Sequence, residues 1–124
     1  MSSKVAIVVD DDPFWMNEIT SALRADGVVV HEAVDGAEAL RLLATTDNAC
    51  VVLDIILPDK DGLEIITAAR TLKPDVKILA ISGGGRLGPD FYLRLATALG
   101  AVDTLHKPFT AHELRAKWLS LASG

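Results

Sequence analysis

Hydrophobic positions along the chain fall into short blocks of two alternating kinds. Lys4 to Val9 is a β-branched apolar run that ends on three carboxylates and a proline, Asp10, Asp11, Asp12 and Pro13. A short continuous apolar run bounded by turn residues predicts a strand buried on both faces. Pro13 suits the first turn of a helix with Asp12 as its N-cap, and Ile19 and Leu23 fall at helical spacing until Gly27 stops the pattern. Val28 to His31 predicts a second strand. Asp35 then caps a helix whose face is Ala39, Leu40, Leu42 and Leu43, before the polar stretch Thr45 to Asn48.

The alternation continues to the C-terminal end. Cys50 to Asp54 predicts a third strand, and after a turn from Pro58 to Gly62 a helix runs from about Leu63 to Leu72 and stops at Pro74. Val76 to Ile81 predicts the fourth strand, which runs into Ser82 and the glycines 83 to 85. After Pro89 and Asp90 a helix carries Phe91, Leu93, Leu95, Ala98 and Leu99 to Gly100. Ala101 to Leu105 predicts a short fifth strand, followed by His106, Lys107 and Pro108. Thr110 with Glu113 three residues later is a capping box, opening a last helix in which Leu114, Trp118 and Leu121 share a face. Five apolar strands alternating with five helices predict an α/β fold, a doubly wound parallel sheet covered by helices on both faces.

Composition narrows the classes. With 124 residues, half of them apolar, the chain is expected to be one domain, residues 1 to 124, with a single core. A formal charge of −5 with scattered basic residues offers no face for a phosphate backbone, so a nucleic-acid partner is not expected. Cys50 stands alone and reads as a small buried hydrophobe. No apolar segment reaches the roughly 18 residues of a membrane span, and the N-terminal apolar run is too short for a signal peptide. A cytoplasmic protein without a membrane partner is the expectation.

The predicted topology places chemistry on one rim. Right-handed crossovers bring the C-terminal ends of all five strands to one edge, where such folds bind ligands. Asp10 and Asp11 follow strand one, Asp54 ends strand three, Ser82 follows strand four and Lys107 follows strand five. Like charges at 4 Å repel by about 4 kcal/mol at an effective dielectric of 20, so three gathered carboxylates need a counter-charge. Lys107 supplies one, and a hard divalent cation such as Mg2+ suits oxygen ligands better than zinc does. Two acids holding Mg2+, with a lysine and a hydroxyl beside a third acid, are the equipment of phosphoryl transfer, with Asp54 as nucleophile. On the residues alone, Asp54 could instead end a strand or cap a turn. The glycine run lacks the GxxxxGK[ST] spacing of a nucleotide-binding loop.

Four segments in this order, VVDDDP, LDIILPDKDG, AISGG and HKPF, resemble the response regulator receiver domain of two-component signalling over nearly the whole chain. The resemblance implies a flavodoxin-like sheet in the order 2-1-3-4-5. It makes Asp54 the phosphoacceptor and Asp10 and Asp11 metal ligands with Asp54, and gives the metal the backbone carbonyl of Ile56. It also gives Ser82 the place of the switch hydroxyl, and Lys107, before a commonly cis Pro108, that of the lysine on the phosphoryl group. The implied partners are a sensor histidine kinase or histidine phosphotransfer protein, and a downstream protein at the face of helix four, strand five and helix five. The expected role is a stand-alone switch, a phosphoacceptor with self-catalysed phosphorylation and dephosphorylation rather than an enzyme.

Two departures qualify the expectation. Thr104 stands three residues before Lys107, where many receivers have an aromatic switch residue. Glycines follow Ser82, and ordering of Gly83 to Gly88 would have to take over the aromatic residue's role. Two other readings stay open: a receiver-like binding module that is never phosphorylated, and a small Mg2+-dependent aspartyl phosphohydrolase. Among the remaining residues, Phe14 and Trp15 read as packing at the helix start and His106 as pointing away from the Lys107 face. His31 and His112 read as surface or edge residues, Asp59 and Asp61 as solvated loop charges, and Trp118 as packing.

Overall fold

The computed structural model describes residues 4–83 and 88–123. Five strands and five helices alternate: β1 (Val5–Val9), α1 (Pro13–Ala25), β2 (Val29–Ala33), α2 (Gly36–Thr45), β3 (Ala49–Asp54), α3 (Gly62–Leu72), β4 (Lys77–Ser82), α4 (Pro89–Leu99), β5 (Asp103–His106) and α5 (Ala111–Ala122). The strands form one parallel sheet in the order β2-β1-β3-β4-β5. The expected doubly wound α/β architecture and its strand order are both present.

Alternation of side chains along the strands builds two cores. Ile7, Val9, Val51, Leu53, Ile78 and Ala80 face one way and meet Leu43 of α2, Ile65 and Ile66 of α3, and Leu93 and Ala96 of α4. Ala6, Val8, Val52, Leu79, Ile81 and Leu105 face the other way and meet Met16, Ile19 and Leu23 of α1 and Leu114, Trp118 and Leu121 of α5. Trp118 is buried, as the packing reading requires, and so is Cys50. No described helix is long and apolar enough to cross a membrane.

Helix starts follow the sequence signals closely. Asp12 caps α1 by accepting from Phe14 N, Asp35 caps α2 by accepting from Glu38 N, and the Thr110–Glu113 capping box closes in both directions at α5. Thr110→Ala is expected to lower stability by about 1 kcal/mol, measurable as a shift in the denaturant midpoint at unchanged slope.

Strand ends differ more. β2 runs on to Ala33 instead of stopping at His31, because its pairing with β1 continues until Val9 meets Ala33. β5 starts at Asp103 rather than Ala101. The Ala101 amide returns to Ala96 O in the turn that ends α4, and Val102 N donates to Ile78 O before regular pairing begins.

Candidate functional site

Strand register sets the rim. β1 delivers Asp10, whose amide donates to Ala33 O, and β3 delivers Asp54, paired with Ile81 on β4. Ser82 ends β4 opposite His106, and its carbonyl accepts from Lys107 N at 3.0 Å. The Lys107–Pro108 peptide is cis.

Lys107 enters the acid cluster with its ammonium 2.8 Å from Asp54 Oδ2 and 2.8 Å from Asp10 Oδ2. The Asp54 contact is a directed hydrogen bond, whereas Asp10 Oδ2 pairs its charge with the ammonium at an angle that leaves it without a true hydrogen bond. The other carboxylate oxygens hold the backbone: Asp10 Oδ1 accepts from Asp12 N and Asp54 Oδ1 from Ile56 N, each at 2.9 Å. Asp10, Asp54 and Ser82 are buried, while Asp11 and Ile56 are exposed. An open cleft of about 470 Å³ bounded by Asp11, Asp54, Ile56 and Lys107 gives solvent access to the cluster.

Burial pushes the Asp10 carboxyl above its ordinary value, and the repulsion of Asp54 adds to this; the Lys107 contact and the Asp12 amide pull the other way without cancelling it. Burial works against the charge on Lys107 too, but its contacts with Asp10 and Asp54 outweigh that and hold its ammonium above the ordinary lysine value. Three carboxylates against one ammonium leave the cluster formally at −2.

The residues fit a metal. One carboxylate oxygen each from Asp10, Asp11 and Asp54 lies within 4.8 Å of the others, and Asp10 Oδ2 is buried with no hydrogen bond. An all-oxygen set with excess negative charge selects a hard cation.

Neighbours supply what local sequence did not display. Trp15 packs its ring 4.6 Å from that of Phe109, with the Lys107 ammonium 5.5 Å from its centroid. Its packing role therefore extends to the lysine's charge. A Cβ on Gly83 would lie 2.7 Å from Lys107 Cβ, so the glycine after Ser82 makes room for that stem. The reorganisation expected for Gly83 to Gly88 falls on residues of which 84–87 lie outside the described ones. Thr104 sits half-buried on β5 opposite Ala80.

His106 points away from the Lys107 cluster, as strand alternation requires, and its Nε2 pairs with Asp90 Oδ1 at 2.7 Å. Nothing in the local sequence signalled that pair. Asp59 and Asp61 correct the solvated-charge reading. Both side chains are exposed, yet Asp61 caps α3 by accepting from Leu63 N, and Asp59 accepts from the amides of Gly36 and Ala37. The Asp61 cap was visible as Asp-Gly-Leu-Glu at a helix start; the Asp59 contact spans 23 residues and had no local signature.

The response regulator receiver domain family matches residues 6–118. The chain belongs to that family. Among curated relatives, the receiver is 38% identical over 118 residues to the transcriptional regulatory protein PrrA of Mycobacterium leprae (strain TN), covering 94% of this chain and 49% of the relative. It is 36% identical over 116 residues to the response regulator MprA of Mycobacterium sp. (strain KMS), covering 93% and 49%. It thus spans about half the length of these relatives.

Among solved structures, a CheY-like receiver from Methanospirillum hungatei JF-1 superposes with a TM-score of 0.87 at 26% identity, covering 98% of this chain and 95% of that one. A response regulator from Burkholderia pseudomallei, solved with a phosphorylated aspartic acid, a calcium ion and citrate, superposes with a TM-score of 0.82 at 26% identity. That likeness covers 98% of this chain and 69% of the other. Membership places the receiver in two-component signalling.

Proposed function

We infer that the whole chain works as one Mg2+-dependent phosphoacceptor switch in the cytoplasm, taking a phosphoryl group from a histidine kinase or histidine phosphotransfer protein onto Asp54. The observation that carries this reading is Lys107, whose ammonium sits 2.8 Å from both Asp54 and Asp10 while Asp11 completes the acid cluster.

In the transfer, a carboxylate oxygen of Asp54 forms a bond to phosphorus as the phosphorus–nitrogen bond of a phosphohistidine breaks. The imidazole keeps the bonding electron pair and needs no proton from this chain. Asp54 becomes an acyl phosphate. Lys107 neutralises charge on the phosphoryl oxygens and is held for that task by Asp10 below it and Trp15 beside it. Ser82, at the end of β4, supplies the hydroxyl that takes one of those oxygens and so ties the modification to the β4–α4 connection. Asp10, Asp11, Asp54 and the Ile56 carbonyl would hold Mg2+, which when bound supplies the positive charge that lets an anionic phosphoryl group approach three acids.

The Burkholderia protein with its phosphorylated aspartate and calcium supports the same use of this fold. For output, α4 presents Phe91, Leu95 and Leu99 to solvent, and Val102 before β5 and Leu119 on α5 are exposed as well. This supports a downstream protein partner at the face of α4, β5 and α5.

The test is intact mass after incubation with acetyl phosphate. One phosphate is expected on the native chain with Mg2+, and none without Mg2+ or in Asp54→Asn. A native chain that stays unmodified in Mg2+ overturns the reading in favour of a binding module. Steady release of inorganic phosphate from simple phosphate esters, with no kinase present, overturns it in favour of a phosphohydrolase.

A further inference from the structure

The loop joining β3 to α3 is fastened at two levels. At its base, Asp54 Oδ1 accepts from Ile56 N, Ile56 and Asp61 form an antiparallel bridge, and Gly62 N donates to Ile55 O at 3.0 Å. At its tip the loop reaches a different helix. Asp59 Oδ1 accepts from Gly36 N at 2.9 Å, and Oδ2 accepts from Ala37 N at 3.2 Å.

Helix α2 already has its own cap, since Asp35 accepts from Glu38 N. Asp59 therefore takes the two first-turn amides that Asp35 leaves over, and two carboxylates together satisfy three donors that no helical carbonyl can reach. The Gly36 amide above all holds the Asp59 carboxyl below its ordinary value; desolvation opposes it, and the Ala37 amide adds a lesser pull in the same direction as Gly36. The packing is equally specific. A Cβ on Gly36 would lie 2.4 Å from Ile65 Cδ1 and 3.3 Å from Lys60 Cβ, so the start of α2 is pressed onto both α3 and this loop.

Ile56, at the other end of the same short loop, borders the cleft with Asp11 and Asp54. A carbonyl that serves a metal must be held in place by something outside its own peptide, because ligand orientation is set by the groups behind the ligands.

We propose that Asp59 is a positioning residue for the metal site: by clamping the loop that carries Ile56 to the N-terminus of α2, it couples Mg2+ affinity to the first turn of α2. This rests on the reading that Ile56 lends its carbonyl to Mg2+. Coupling is reciprocal, so Mg2+ protects the α2 amides as much as the clamp favours Mg2+.

The test is calorimetric titration with MgCl2, alongside amide hydrogen exchange of the native chain with and without Mg2+. Asp59→Ala is expected to weaken Mg2+ binding by about 10- to 100-fold, the usual effect of losing a group that orients a ligand. Asp59→Asn, whose amide oxygen still accepts from Gly36, should recover part of that loss. Thr110→Ala lowers stability at a distant cap and should leave Mg2+ affinity unchanged, which separates positioning from a general loss of stability. In the native chain, Mg2+ should slow exchange at Gly36 and Ala37.

Mg2+ affinity of Asp59→Ala within twofold of native overturns the proposal and leaves the metal site standing. Should that variant fail to fold, exchange at Gly36 and Ala37 decides: slowing by Mg2+ supports the clamp, and no change overturns it. Absence of Mg2+ binding by the native chain overturns both the clamp and the metal reading.

Discussion

Asp10→Asn is expected to make the metal-free protein more stable while largely abolishing its response to Mg2+. Asp10 is fully buried, faces the charge of Asp54, and shares one ammonium with it. Burial and that repulsion disfavour its charged form in the folded state. Its carboxyl titrates above the ordinary 3.8, so folding stability is lost as pH rises from 3.8 through the raised value, and stays lost above it.

Asparagine removes this loss. Its single carbonyl oxygen can accept from the Asp12 amide or from Lys107 but not from both, while Lys107 keeps its hydrogen bond to Asp54 in either case. The gain at neutral pH should show as a higher denaturant midpoint at unchanged slope. It should vanish in acid below 3.8, where the native carboxyl is protonated in both states.

Mg2+ reverses the order. A ligand present at 100 times its dissociation constant stabilises the folded state by about 2.7 kcal/mol, so the native protein gains this and the variant does not. Thermal unfolding of both proteins across a Mg2+ series should show the two curves cross. A variant less stable than native without Mg2+, or equally stabilised by it, would count against an acid cluster built for a cation.

Gly62→Ala is expected to cost about 3 kcal/mol or more, at the upper end for overpacking, and to lower the melting temperature by roughly 10 °C. Here the glycine is required by closeness rather than by an unusual backbone angle. A Cβ on Gly62 would lie 2.2 Å from Ile55 Cα and 2.5 Å from its carbonyl oxygen. Both are backbone atoms, so no rotamer change relieves the overlap.

Either α3 moves outward, breaking the Gly62–Ile55 hydrogen bond, or Ile55 moves and carries Asp54 and Ile56 with it. The second route damages the site directly, so phosphate incorporation from acetyl phosphate should fall together with stability. A variant within 1 kcal/mol of native would mean that the loop behind Asp54 is soft, against the two-level fastening described above.

What was legible in the sequence were features whose cause is local. Buried parallel strands read as continuous apolar runs, and their abrupt ends on Asp10 and Asp54 marked the rim. Asp12, Asp35 and Thr110 advertised their caps by position relative to the next apolar face. The strand order was not legible from periodicity, which is the same for any arrangement of five buried strands; it came with the family's motifs.

Contacts between distant segments were hidden for a related reason. Asp59 looked like any loop acid because its partners are the amides of Gly36 and Ala37, and an amide carries no residue-type signature. Trp15 looked like a helix-start aromatic because Phe109 and Lys107 meet it only after α5 docks on α1. β5 begins two residues later than the apolar run predicts, because the Ala101 amide closes the turn that ends α4 and Val102 meets β4 through a single bond to Ile78 before regular pairing begins.

The phosphoacceptor role proposed for Asp54 can be read chemically. After exposure to acetyl phosphate and Mg2+, borohydride reduction of an acyl phosphate converts the modified aspartate to homoserine, which peptide mass spectrometry locates. Homoserine at position 54 alone, and only when Mg2+ was present, is the predicted result. Homoserine at Asp10 or Asp11, or phosphate held in a form that borohydride does not reduce, would contradict it.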